Sequence, residues 1–200
     1  MELKTEQHTS ELLEGKDAPP LARAYFELCQ LKQLFRQGWL KRGVGRKRCE
    51  SVAEHSFGVT VLALWLADAY YPELNTEKVL RMALLHDFGE IYAGDIIPGD
   101  DVSMQDKHAW EEASVARVVG KLPSSKTYLK LWEEFERGDT PEARFVRQID
   151  RLEMGLQAAV YKSQEQGVMD EFFLSARQAL ADPVLIEILE AVAGLNWPED

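Results

Sequence analysis

A chain of 200 residues, 46% hydrophobic and 28% charged, fits one domain around one core, because a single core grows to roughly 250–300 residues before chains divide. No apolar run approaches the ~18 residues of a membrane span, and the N-terminus lacks the basic-then-apolar order of a secretory signal, so a cytoplasmic protein with no membrane partner is expected. The formal net charge of −11 argues against a nonspecific hold on polymeric nucleic acid, which needs many lysine and arginine contacts to phosphates.

Residues 1–20 are polar, lack apolar periodicity and close on Pro19-Pro20, which predicts a mobile or loosely docked leader ahead of a domain over 21–200. Leu21, Tyr25, Leu28, Leu31, Leu34 and Phe35 follow helical spacing, with Gly38 ending the helix near Trp39. A basic loop comes next, and its Lys41, Arg42, Arg46, Lys47 and Arg48 concentrate positive charge where a small anion could bind. Cys29 and Cys49 have no CxxC spacing, so neither a disulfide framework nor a thiolate metal site is indicated.

Ser51 with Glu54 matches a capping box, and Phe57, Val61, Leu62, Trp65, Leu66 and Ala69 extend a nearly all-apolar, buried helix. Asn75 or Thr76 caps the next helix, which carries Val79, Leu80, Ala83, Leu84 and the doublet His86-Asp87. The stretch Gly94 to Asp100 reads as a loop. Further helices are predicted over about 103–120, 125–137, 140–166 with Thr140 as N-cap and Pro141 first, 169–181 and 183–193. Strand alternation is lacking, so the expected fold is all-α, a compact single-domain helical bundle.

Two of the four histidines, His55 and His86, lie inside apolar helices. His55 shares a face with Val52, Val59 and Leu62, so its imidazole should point inward. Taken alone it could be a core histidine satisfied by a carbonyl. His86-Asp87, however, sets a carboxylate beside an imidazole behind an apolar run, where an unpaired charge costs several kcal/mol or more. Asp150 lies on a third apolar face, between Val146 and Met154. Arg147 or Arg151 could pair with it, but along a helix both are turned away by about 60–100° or more. One divalent cation held by His55, His86, Asp87 and Asp150 accounts for all four groups. Such a nitrogen and oxygen set favours Mn²⁺, Co²⁺, Mg²⁺ or Fe²⁺ and leaves Zn²⁺ and Ni²⁺ open. Trp65, Trp110 and Trp132 fit core positions, and His8 and His108 fit surface ones.

The order His55, His86-Asp87, Asp150 resembles the H…HD…D pattern of the HD-domain metal-dependent phosphohydrolases. The strings GWLKRGV (38–44), ESVAEHS (50–56), LLHDFGEIYAGDI (84–96), LWEEFE (131–136) and FVRQIDRLE (145–153) look like its 5'-deoxynucleotidase branch. The resemblance implies a fold of the HD-domain type, a homodimer, and removal of the 5'-phosphate from deoxyribonucleoside monophosphates. Hydrolysis of a cyclic nucleotide, a nucleoside triphosphate or an alarmone by the same kind of site is the alternative enzymatic reading. A metal-bound nucleotide sensor without turnover is another.

Glu90, four residues after His86 and three after Asp87, falls on the ligands' side of a helix and could position a water or take its proton. Asp95 could orient the sugar hydroxyl, protonate the leaving oxygen, or join Glu90 and the Ile96 carbonyl around a second cation. The resemblance also implicates Trp39 and Arg42, in a G-W-x-x-R-x-V pattern, in holding the nucleotide. Gly38 stands where some members have arginine, so Arg46 or Arg48 is the next choice for the phosphate after Arg42.

Overall fold

A computed structural model describes residues 1–195; the last five residues of the expected 21–200 domain lie outside the described residues. The helices are α1 (Pro20–Leu28), α2 (Gln37–Lys41), α3 (Val52–Tyr70), α4 (Thr76–Leu85), α5 (Glu90–Ala93), α6 (Met104–Val119), α7 (Ser125–Arg137), α8 (Pro141–Ser163), α9 (Asp170–Ala179) and α10 (Pro183–Ala193). Among the described residues β-structure is confined to isolated bridges, Leu3 with Leu34 and Phe35 with Ser51. The fold is thus an all-helical bundle, as the periodicity predicts.

Local chemistry sets several helix starts where the sequence puts them. Ser51 and Glu54 form a reciprocal capping box at α3, Asn75 Oδ1 accepts from the Lys78 amide 3.1 Å away, and Thr140 caps α8 ahead of Pro141. α8 is the central staff. Its Ala143, Val146, Ile149, Leu152 and Ala158 are fully buried against α3, α4, α7, α9 and α10. Helix-period burial of this kind leaves little freedom in rotation about the helix axis, which fixes where Asp150 points.

Two expectations are corrected, and the leader can be placed. The helix predicted from Leu21 to Gly38 is broken: α1 stops at Leu28, a 3₁₀ turn covers Cys29–Lys32, and Leu34 and Phe35 are extended. A 3₁₀ turn brings residues three apart onto one side, so the spacing Leu28, Leu31, Leu34 serves burial without a continuous α-helix. Residues 1–20, expected to be mobile or loosely docked, lie against the bundle. Leu3 bridges Leu34, Thr9 donates to the Phe26 carbonyl at 2.5 Å, and His8 Nε2 meets the Ile91 carbonyl at 3.0 Å while its ring stacks on Tyr92. Finally, Trp132 is buried as expected, but Trp65 and Trp110 are exposed, and so is Phe57. The stripe Val52, His55, Val59, Ala63 and Leu66 turns α3 inward, leaving Phe57, Val61 and Trp65 along the outer side.

Candidate functional site

His55 enters from α3, Asp150 from α8, and His86 and Asp87 from the turn that ends α4. The apolar faces that bury these helices aim the four side chains at one another. His55 Nε2 lies 3.1 Å from Asp150 Oδ1 and 3.8 Å from Asp87 Oδ2, and His86 Nε2 lies 3.2 Å from Asp87 Oδ2. One donor atom from each of His55, His86 and Asp150 falls within 4.8 Å of the others. Arg151 does reach Asp150, with Nε 3.6 Å from Oδ2, while Arg147 bonds the carbonyls of Phe135 and Glu136.

The outer nitrogens of the two imidazoles are already engaged. His86 Nδ1 donates to the Ala83 carbonyl at 2.7 Å, and His55 Nδ1 is 2.6 Å from Glu153 Oε2. Both Nε2 atoms are thereby directed at the carboxylates, and that of His86, buried and 3.2 Å from Asp87 Oδ2, makes no well-aligned hydrogen bond. An imidazole nitrogen without an aligned partner, facing two carboxylates, is the chemistry of a divalent-cation site, so these four residues fit a metal.

Beyond Asp87 lie Glu90 and Asp95, both buried. The turn through Asp87 to Gly89 feeds directly into α5, with the Glu90 amide donating to the Asp87 carbonyl at 3.0 Å. Asp95 Oδ2 accepts from the Gln37 amide at 2.6 Å, joining the start of α2 to the end of α5. Ile96 follows and is half-buried.

The cation facing these acids is Arg36, which the sequence reading missed. Its Nη1 lies 3.5 Å from Asp95 Oδ1 and 3.9 Å from Glu90 Oε1. Burial opposes its charge, but Asp95, Asp87, Glu90 and Asp150 outweigh burial and hold it protonated. On the predicted continuous helix Arg36 would have been an ordinary surface residue; the extended stretch at Leu34 and Phe35 is what delivers it inward. Lys107 of α6 adds a second, half-buried cation paired with Glu111 at 3.2 Å.

The substrate residues expected from the basic loop are not brought to this face. Trp39 is 2% exposed, its indole 3.9 Å from the Phe172 ring and its Nε1 donating to Glu50 at 2.8 Å. Arg42 is paired with Glu171, and Arg46 with Glu2 at 3.0 Å. Arg46 and Arg48 line a cavity of about 740 Å³ that reaches Glu153 on the far side of His55, and whose walls include none of His86, Asp87, Glu90, Asp95 or Asp150.

Crowding of like charges shifts the acids apart. Burial, then Asp87 and Asp95, pushes the Glu90 carboxyl well up. For Asp87 burial works upward too, but His86, His55 and Arg36 prevail and hold it below the usual carboxylate range. Asp150 is likewise held low, against burial, by the hydrogen bond and charge of His55. Burial and Arg36 oppose protonation of His55, yet Glu153 and Asp150 lift it to about 10.

Residues 28–192 match the family model described as HD domain. A human protein named 5'-deoxynucleotidase HDDC2 is 36% identical over 174 residues, covering 84% of this chain and 83% of its own. The fission-yeast protein named 5'-deoxynucleotidase hdd1 is 34% identical over 149 residues, covering 72% of this chain and 73% of its own. Among solved structures, a Pyrococcus horikoshii OT3 protein superposes with a TM-score of 0.71 at 32% identity, covering 86% of this chain and 97% of the other.

A pH dependence follows for the metal-free protein. His55 binds its proton more tightly folded than unfolded, where its ordinary value is about 6.5. Its contribution to stability is therefore complete below that value and lost as pH rises through about 10. Glu90 acts with the same sign. The melting temperature of the metal-free protein should fall across this window, and the increase caused by added Mn²⁺ should grow, because a metal takes neutral imidazole. Calorimetric scans at stepped pH check this; a profile flat between neutrality and alkaline pH contradicts it.

Proposed function

The chain belongs to the HD-domain family, and from that premise we propose that it is a metal-dependent phosphomonoesterase, removing the 5'-phosphate from deoxyribonucleoside 5'-monophosphates to give nucleoside and phosphate. The observation that carries the reading is the cluster of buried His55 and His86 with part-buried Asp87 and Asp150, the His86 Nε2 making no well-aligned hydrogen bond, adjoined by the part-buried Arg36 and the buried Glu90. His55, His86, Asp87 and Asp150 hold the ion. When bound, a divalent cation supplies Lewis acidity and neutralises charge at a phosphate.

The protein's own groups account for the remainder. Glu90 has a buried oxygen with no partner and a raised affinity for protons, both suited to orienting a water and accepting its proton. Arg36 presents a planar fork of donors beside Glu90 and Asp95, and we assign it, rather than Arg42 or Arg46, to the substrate phosphate. It also supplies positive charge where one alternative reading of the sequence set a second cation between Glu90, Asp95 and the Ile96 carbonyl. Asp95, fixed by the Gln37 amide, is positioned to bind a sugar hydroxyl or to protonate the leaving oxygen.

Setting and assembly complete the proposal. No helix among the described residues is long and apolar enough to cross a membrane, and both cysteines are free, which supports a cytoplasmic setting. A homodimer is supported by the outer stripe of α3, where Phe57 is 71% and Trp65 65% exposed, more apolar surface than a helix in contact with water usually presents.

Phosphate release across a panel of deoxy- and ribonucleotides should be greatest with deoxynucleoside monophosphates; pyrophosphate as the only product from any substrate would sink the monophosphatase reading. Glu90→Gln should retain metal by elemental analysis and lose turnover by roughly 10²–10⁴-fold, whereas Asp150→Ala should lose the metal. Arg36→Met should reduce kcat/KM by roughly 10- to 100-fold, as expected for hydrogen bonds to a charged group, while its circular dichroism stays that of the parent; unchanged kinetics would remove Arg36 from the substrate site. Light scattering should give about twice 22.8 kDa for the parent and the single-chain mass for Trp65→Glu, and a monomeric parent would rule the dimer out.

A further inference from the structure

Glu153 belongs to the string FVRQIDRLE but has no part in the mechanism above. It is buried, and Oε2 lies 2.6 Å from His55 Nδ1, its one ion-pair partner within 4.0 Å among the described residues. A buried carboxylate without a lysine or arginine beside it is costly unless it has a specific acceptor role. Space is kept for it. Gly58 lies three residues after His55 on α3, and a Cβ at that position would stand 2.7 Å from Glu153 Oε1. α8 supplies Asp150 and Glu153 three residues apart, so one helix face presents a carboxylate to each nitrogen of the same ring, Asp150 Oδ1 at Nε2 and Glu153 Oε2 at Nδ1.

Taking His55 as a metal ligand, as the reading above does, we propose that Glu153 is its positioning residue, holding the Nδ1–H tautomer and the ring plane so that the Nε2 lone pair faces the ion. The two histidines are then oriented by unlike acceptors. His86 donates to the neutral Ala83 carbonyl, while His55 donates to an anion, which makes His55 the more electron-rich ligand of the pair. Outer acceptors of this type are worth about 10- to 100-fold in metal affinity.

The test uses the full-length protein stripped of metal and titrated with Mn²⁺, free ion being followed by electron paramagnetic resonance. Glu153→Ala should weaken the Mn²⁺ Kd by about 10- to 100-fold. Glu153→Gln should fall between it and the parent, because the amide oxygen accepts the Nδ1–H without the negative charge. Circular dichroism of the metal-free variants should match the parent. If either Glu153 variant binds with the parent Kd while His55→Ala loses the ion, the proposal is overturned and the metal reading stands. If His55→Ala binds as the parent does, the metal reading falls and this proposal falls with it.

Discussion

Four carboxylates at one place inside a helical core set the constraint under which this protein folds. Asp87, Glu90, Asp95 and Asp150 are carried by the ends or faces of α4, α5 and α8, and water reaches them only narrowly. Burial of even one unpaired carboxylate costs several kcal/mol, a large share of the 5–15 kcal/mol by which domains are usually stable. The structure offsets this in three ways. His55 and His86 stand between Asp87 and Asp150; Arg36 stands between Glu90 and Asp95; and Glu90 is driven toward its neutral form. On the proposed reading, a divalent cation would complete the first arrangement and the second would be free to meet a phosphate. The same charges that constrain folding are thus the ones the proposed function would use.

Much of this was legible because helices carry their geometry in their spacing. His55 beside Val52 and Val59, and Asp150 between Val146 and Met154, could be turned inward from sequence alone, and the capping residues at Ser51, Asn75 and Thr140 set the frame. Arg36 was not legible. Its placement depends on a break in the chain at Cys29–Lys32, and a 3₁₀ turn imitates the apolar spacing of the α-helix it replaces. The surroundings of Trp39 were not legible for a related reason. The G-W-x-x-R-x-V pattern says nothing of what packs on the indole, and Tyr161 and Phe172 enclose it from helices more than a hundred residues along the chain.

Glu153 could have been found. A carboxylate three residues after a ligand on the same helical face, opposite a glycine three residues after the histidine, is a pattern of two helices read together. Single-helix reasoning does not combine them. The docking of the leader was similarly beyond composition, because its hydrogen bonds run to partners scattered along the chain, the Phe26 and Ile91 carbonyls and the Gln30 and Gln37 side chains among them.

α8 also bears on how such a chain can diverge in length. Each residue of an α-helix advances the face by about 100°, so one residue inserted between Asp150 and Glu153 would leave at most one of them on His55. An insertion earlier in the helix would preserve their mutual spacing but swing both off the ring together, along with the buried stripe from Ala143 to Ala158. Deletions and insertions are therefore tolerable only outside this 23-residue helix, at the turn before Thr140 or in the stretch from Gln164 to Met169. Relatives sharing the site should differ in gap placement there while keeping the interval between these two acids fixed.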